Sequence, residues 1–210
     1  KNGNNIQVSN RRIRLAKLGY IHYRTSKKYR KLLKTSKINN VTISINNKID
    51  FFEIDKFNIE EVTNSFNGTL YSKSNDYSRK SDSIYLFNLE DYEYDVEYVY
   101  SKKKTKSLYE LSYLEKKDKY ALFLDNNHPL IVIKNKSVDN DKELVIIKDS
   151  YANSFVPFIV NHYRKVHIID PRYYNKNISE YIKDNRKIKD VLILYNMNTI
   201  DEDIGILTIK

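Results

Sequence analysis

Three polar groups follow apolar runs in the second half of the chain: Lys148-Asp149-Ser150, Asp170-Pro-Arg172 and Asn196. The first stands in the most suggestive place. Leu144 to Ile147 is long enough for one buried strand, and Lys148, Asp149 and Ser150 end the apolar pattern abruptly. From Tyr151 onward the pattern turns helical. Phe155, Phe158, Ile159 and His162 fall at helical spacing, with Pro157 inside as a kink or an early-turn residue. Ser150 therefore sits where a buried strand hands over to a helix. A hydroxyl held there can attack a carbonyl carbon, and unpaired N–H groups at the helix start can face the developing oxyanion. The same position suits a helix cap, and local pattern alone favours that reading for Ser150 or Asp149.

A serine nucleophile needs a base, usually histidine. The four candidates are His22, His128, His162 and His167. His162 lies too far along the helix after Ser150 to touch it. His167 lies inside an apolar run and reads as a buried structural residue. His128 is the best local candidate for a base, because its turn can face the Ser150 strand end. Arg172 can anchor a carboxylate or polarise an acyl oxygen, or it can bridge to Asp149 or Asp170. The chain has no Cys and no His-x-His or His-Glu-x-x-His pattern. No metal site and no cofactor are expected.

These groups need a scaffold. Leu144–Ile147, Val166–Ile169 and Val191–Leu194 read as strands, separated by helices after Tyr151 and over Asn177–Lys183. Strand–helix–strand alternation argues for a parallel sheet, with ligands outside the carboxyl ends of its strands. Upstream, Val41–Asn46, Ser83–Leu89, Tyr92–Tyr100, Tyr120–Leu124 and Leu130–Lys134 read as strands, and Ser137–Lys142 as a polar hairpin or loop. In Tyr92–Tyr100 the tyrosines alternate with acidic residues, the period of a half-buried antiparallel strand. Those tyrosines serve a core or a sugar-stacking face, and core packing is the default. Asn58 with Glu61, and Ser107 with Glu110, have the capping-box pattern of short helices over Ile59–Ser65 and up to Leu114. A further helix is expected within Arg11–Lys34.

The 210 residues suit one domain with a real core. Charged residues make up 30% and aromatics 13%, with 19 Tyr and no Trp, which is globular rather than disordered. The net charge of +10 concentrates in Arg11–Lys37 and Lys102–Lys106. Such a face is a solvated surface first and a polyanion-binding surface second. No nucleic-acid motif accompanies it, so no nucleic-acid partner is expected. No stretch is long enough for a membrane helix, and the chain, which starts with Lys rather than Met, shows no signal-peptide pattern. The chain reads as a fragment, a processed form or a cloned segment.

A longer ordered set of motifs goes beyond these local patterns. It comprises Phe57-Asn-Ile-Glu-Glu-Val62, Gly68-Thr-Leu-Tyr-Ser-Lys73, Asp82-Ser-Ile-Tyr-Leu86, Asp118-Lys-Tyr-Ala-Leu-Phe-Leu124 and Asn127-His-Pro-Leu130. It continues with Lys148-Asp-Ser-Tyr-Ala-Asn153, Ile169-Asp-Pro-Arg-Tyr-Tyr174, Ile178-Ser-Glu-Tyr-Ile182 and Val191-Leu-Ile-Leu-Tyr-Asn196. The set resembles the DHHW family of Gram-positive bacteria, a branch of the SGNH-hydrolase-like proteins, from about Phe57 to Thr199. The resemblance implies an α/β fold: an SGNH-like three-layer sandwich with a parallel sheet, its N-terminal part missing or degenerate. The implied division is a basic segment at 1–40, an SGNH-like domain at 41–199 with a β-rich insertion at about 41–136, and a tail at 200–210.

The resemblance also implies an activity, that of an extracytoplasmic, cell-envelope carbohydrate O-acyltransferase or acylesterase akin to alginate O-acetylation proteins. Its partners would be a cell-surface polysaccharide and a membrane acyl exporter. Ser150, with Asp149, would be catalytic, Asn127 an oxyanion donor and Arg172 a substrate contact. The family's acid and base come from an upstream Asp-His-His-Trp block. Here Tyr23-Arg-Thr25 runs instead into Ser26-Lys-Lys-Tyr29, and Asp125 and Asn126 stand where the family has glycines. The missing block favours an inactive site. The alternative is a non-catalytic polysaccharide-binding or structural remnant.

Overall fold

A computed structural model describes residues 56–68, 71, 78 and 80–196. His22, Tyr23–Tyr29, the expected Arg11–Lys34 helix and the Val41–Asn46 strand lie outside the described residues. Phe57–Phe66 (β1) and Asp82–Leu89 (β2) form an antiparallel two-stranded sheet. Tyr94–Tyr98 (β3), Lys103–Thr105 (β4), Leu130–Asn135 (β5), Glu143–Lys148 (β6), Lys165–Ile169 (β7) and Ile188–Leu194 (β8) form a second sheet, in the order β4-β3-β5-β7-β6-β8. Among the described residues, Val156–Ile159 (α1) and Ile178–Asp184 (α2) are its α-helices, with short 3-10 segments elsewhere along the chain.

The sheet is mixed. β6 runs parallel to β7 and β8, as the strand–helix alternation of that region predicts. The pairs β3–β4, β3–β5 and β5–β7 are antiparallel, so a parallel sheet is not the right description of the whole. The reason lies in the connections. A short link joins β3 to β4, and the 136–142 loop reverses the chain before β6, so β5 runs against β7, whereas the helical crossovers after β6 and β7 let the chain return in the same direction.

Each face of the sheet has its own apolar cluster. Leu144 and Ile146 of β6 and Val166 and Ile168 of β7 pack with Val156 of α1 and with Val160. Val145 and Ile147 of β6 and Ile169 of β7 pack on the other face with Ile178 and Ile182 of α2. The alternation is that of strands covered on both sides. Val96 and Tyr98 of β3 join the first cluster, and Tyr94 packs at its margin with its hydroxyl on Asn161. These tyrosines are core residues first, while Tyr100 is exposed. Among the described residues β8 has one strand neighbour, β6, and Ile193 on it is 37% exposed.

Three local expectations are corrected. Residues 57–66 form β1 rather than a helix capped by Asn58. Glu61 accepts from Ser83 and Tyr85 across the strand pair, at 2.8 and 3.0 Å, instead of closing a capping box. Phe57 and Phe87 pack on Phe158 of α1, and this tertiary contact outweighs the local helix signal. Residues 120–124 are not a strand. Lys119–Leu122 is a 3-10 helix, followed by a single bridge from Phe123 to Tyr109. The helix expected from Ser107 begins later, as a 3-10 helix over Leu111–Glu115 capped by Glu110, because Ser107 is folded onto Tyr109.

At the amino end of β6 the buried residues are polar. His167 is 1% exposed and lies between Glu143, 3.1 Å from its Nε2, and the Tyr181 hydroxyl, 2.7 Å from its Nδ1. Lys165 reaches the same Glu143 at 3.3 Å. A neutral imidazole with its proton on Nε2 satisfies both partners. Burial pushes the His167 pKa below the ordinary histidine range and Lys165 adds to this, while Glu143 opposes it. As pH falls, the unfolded chain therefore takes up this proton before the folded one. His167 thus withdraws stability as pH drops below about 6.5, the ordinary histidine value. His167→Gln can keep both hydrogen bonds and cannot titrate. Denaturant midpoints at about pH 7.5 and pH 5.5 will show the variant gaining on the wild type at the lower pH. A pH-independent difference would contradict this assignment.

Candidate active site at the strand ends

Parallel β6, β7 and β8 end on one side of the sheet. Antiparallel β5 begins on that side, with Leu130 opposite Ile169. The 125–129 turn is therefore delivered beside the carboxyl end of β7, where the Asp170 N–H donates to the Pro129 carbonyl at 3.2 Å. Topology alone brings Asn127, Ser150, Asp170 and Asn196 into one region.

Ser150 opens a 3-10 helix, Ser150–Ala152, directly after β6. Asp149 caps it, with Oδ1 accepting from the Tyr151 N–H at 3.0 Å. Its Oδ2 accepts from the Asn196 N–H at 2.9 Å, which ties the end of β6 to the end of β8. The expectation of a strand turning into a capped helix is met, and the cap is Asp149. α1 starts only at Val156, with Pro157 in its first turn, so the helical pattern begins as 3-10 and passes into α.

The turn is pinned from outside. The Tyr120 hydroxyl lies 3.0 Å from the Ser150 carbonyl and 3.2 Å from the Tyr151 carbonyl, and accepts from the Ser154 N–H at 3.2 Å. Tyr120 went unrecognised in the sequence because its segment reads as a strand. The second and third N–H groups of the turn are not free for an oxyanion. Tyr151 N–H bonds the Asp149 carboxylate, and Ala152 N–H bonds the Asp149 carbonyl at 3.3 Å. Among the described residues, the Ser150 hydroxyl and N–H have no hydrogen-bond partner.

Lys148 precedes the cap and is 0% exposed. Its Nζ lies 3.3 Å from Asn127 Oδ1 and 3.5 Å from Asp170 Oδ2. Burial pushes its pKa down to about 8, against the pull of Asp170. Asn153 adds a hydrogen bond from Nδ2 to Asn127 Oδ1 at 3.4 Å. Neither Lys148 nor Asn153 stood out as a site residue in the sequence. The available signal was a lysine closing an otherwise apolar strand.

Arg172 forms the bridge to Asp170, not to Asp149. Its Nε and Nη2 donate to the two Asp170 oxygens at 2.8 and 2.6 Å, and its side chain stays 28% exposed. Asp170 holds the guanidinium fully protonated. His128 is engaged elsewhere. Its Nε2 lies 2.7 Å from the Asp125 carbonyl and its ring packs 4.4 Å from that of Tyr98, so the suggested base does not hydrogen-bond Ser150. His167 lies in the network at the amino end of β6, and His162 ends the segment after α1.

The turn that carries Asn127 is strained. Leu124, Asp125 and Asn126 have φ of 59°, 54° and 75°, the left-handed region. Two of these positions are where the resembled family has glycine. The conformation that glycine would supply is present here without it, at a cost of order 1 kcal/mol per residue. Among the described residues no three carboxylate, imidazole or thiol groups converge as metal ligands would.

Asp149→Ala deletes the cap and leaves the Tyr151 and Asn196 N–H groups without their acceptor. A loss of about 2–4 kcal/mol in stability is expected from chemical denaturation. A loss of less than about 0.5 kcal/mol would show that neither bond matters.

No protein-family model matches the chain, and no curated protein does. Solved structures do. A DHHW family protein from Eubacterium siraeum superposes with a TM-score of 0.61 at 22% identity, over 74% of this chain and 52% of that one. PatB1 of Bacillus cereus, with a sulfonyl adduct, gives a TM-score of 0.56 at 19% identity over 85% of this chain and 56% of that one. A second PatB1 structure gives 0.56 at 20% identity, over 84% of this chain and 58% of that one. The chain spans about half the length of each of these proteins. In fold, it resembles a DHHW family protein: a mixed sheet with few helices, α/β-like in character.

Proposed function

We propose that the strand ends form the nucleophile half of a serine O-acyltransferase or acylesterase site of SGNH type, acting on a carbohydrate. Ser150 is the nucleophile, Asn127 an oxyanion donor and Arg172 a substrate contact. The observation that carries this reading is the placement of Ser150. It is half-buried, held by the Asp149 cap and the Tyr120 hydroxyl, on the side of the sheet where Asn127 is delivered. The likeness to DHHW and PatB1 structures supports it. A sulfonyl adduct, as in one PatB1 structure, is what a nucleophilic side chain gives with a sulfonylating reagent.

The step is attack of the Ser150 oxygen on an acyl carbonyl. The C–O bond to serine forms as a base takes the serine proton and the carbonyl electrons move to oxygen; when those electrons return, the bond to the leaving alkoxide breaks and the proton passes to it, leaving the acyl group on Ser150. The described residues offer no histidine for that proton, and the sequence holds no Asp-His-His-Trp run. With no base among the described residues, the serine stays protonated and weakly reactive, with residual reactivity from oxyanion donors and binding alone. An extracytoplasmic setting, a cell-surface polysaccharide and a membrane acyl exporter belong to the same proposal. Among the described residues no helix is long and apolar enough to cross a membrane. The absent block also favours a second reading, a polysaccharide-binding module without turnover.

Sulfonyl fluoride labelling followed by mass spectrometry tests the nucleophile, and p-nitrophenyl acetate tests turnover. Slow, stoichiometric labelling at Ser150 is expected, and Ser150→Ala abolishes it. Equal labelling of the wild type and the variant would remove Ser150 as nucleophile and leave the binding module. Rapid turnover lost in Ser150→Ala would show that a base completes the site.

A further inference from the structure

Lys148 is a buried cation without an evident structural need. Asp170 already has a bidentate partner in Arg172, and the other group hydrogen-bonded to the ammonium is the Asn127 carboxamide. A fully buried ammonium is costly, and an apolar side chain of similar length would remove that cost. Its place against Asn127 Oδ1 suggests what the charge does. A carboxamide can turn over and exchange its oxygen for its nitrogen. Here a turn would set the Asn127 Nδ2 hydrogens against both the Lys148 ammonium and the Asn153 Nδ2, donors facing donors.

Asn153 gives an independent sign of the same constraint. Its Oδ1 is buried and has no hydrogen-bond partner. Turning its amide to relieve that oxygen would forfeit the bonds from Nδ2 to Asn127 Oδ1 and to the Asn126 carbonyl, at 3.4 and 3.5 Å. An orphaned buried acceptor costs about 1–3 kcal/mol. The arrangement tolerates it while both Lys148 and Asn153 donate to one oxygen, that of Asn127. On its other side, Asn127 Nδ2 gives one hydrogen to Asn126 Oδ1 at 3.3 Å, which leaves the second for a ligand.

We propose that Lys148 is a positioning residue that locks the Asn127 carboxamide with its oxygen inward and its remaining Nδ2 hydrogen available to an acyl oxygen. The inference rests on the role given to Asn127 in the proposed function. It adds the group that makes the amide a donor of fixed direction. The lock depends on the proton of Lys148. A neutral amine can accept a hydrogen bond, so its loss makes the turned amide permissible. The charged groups around Lys148 are Asp170 and Arg172 from the turn after β7 and Asp149, the residue that follows β6. The 125–129 turn and the segment after Ser150 contribute the uncharged Asn127 and Asn153.

The test is an NMR titration of the Asn127 side-chain amide in 15N-labelled protein, assigned by its loss in Asn127→Asp. In the wild type its shifts will inflect near pH 8, where Lys148 loses its proton. In Lys148→Met they will be flat, and the protein will be no less stable than the wild type. No inflection in the wild type, or the same inflection in Lys148→Met, overturns the proposal. Should Lys148→Met fail to fold, the lysine is structural and the stability arm counts against the proposal, with the wild-type titration still read. Sulfonyl fluoride labelling of Ser150 separates the two levels. Its rate will fall about tenfold in Lys148→Met, a fraction of what a lost oxyanion donor costs, and Lys148→Met will add nothing to Asn127→Ala. A wild type that never labels, but whose amide titrates as described, defeats the proposed function and leaves the positioning role standing.

Discussion

The structure depends on one constraint: β6 is buried at every residue from Glu143 to Lys148. Its middle is apolar and needs only neighbours on both faces. Its ends are ionisable and cannot rest there without partners. At one end Glu143 is met by His167 and Lys165 from β7, with Tyr181 of α2 behind the imidazole. At the other, Lys148 is met by Asn127 and Asp170, and Asp149 by two backbone N–H groups. The two polar networks, one structural and one proposed as functional, answer the same demand at opposite ends of one strand.

That demand also explains how the site is assembled. The residues around Ser150 come from the turn before β5, the end of β6, the turn after β7 and the end of β8. Their meeting follows from strand direction: three parallel strands end where an antiparallel one begins. Arg172 then stands at the rim, attached to Asp170 but partly exposed. A neutral balance results, with two cations and two carboxylates close together. Net charge in the region is therefore a poor guide to what binds there, even in a chain of net charge +10.

Much of this was legible in the sequence. The apolar runs of β5, β6, β7 and β8, the helix over Asn177–Lys183 and the handover at Ser150 all declare themselves in short windows. What was not legible depends on contacts distant in sequence. Residues 57–66 have an adequate local helix signal, and only the pairing with β2 and the packing of Phe57 on Phe158 decide for a strand. Residues 120–124 are apolar enough for a strand, yet they curl so that Tyr120 reaches the Ser150 carbonyl. The left-handed run at 124–126 has only a weak signal, the turn-forming Asp125-Asn126 pair, because the glycines that would announce it plainly are absent. Lys148 was visible only as an interruption, since burial of its charge becomes meaningful once Asn127 and Asp170 are beside it. The mixed sheet was missed for a similar reason: helical crossovers predict parallel neighbours only where they occur.

The composition of β6 has a consequence for folding. A strand with one wet face is held in register by its alternation, since a slip of one residue would expose its apolar side. Leu144-Val145-Ile146-Ile147 is apolar on both faces and has no such alternation, so a slip within the apolar stretch would exchange one buried aliphatic for another. Glu143 at its amino end removes that freedom. A shift in either direction would pull Glu143 away from His167 and Lys165 on β7 and leave a buried carboxylate unanswered. The charged terminus thus acts as a register pin for a strand that would otherwise slide, and it gives the pairing of the central sheet one arrangement in which that buried charge is answered.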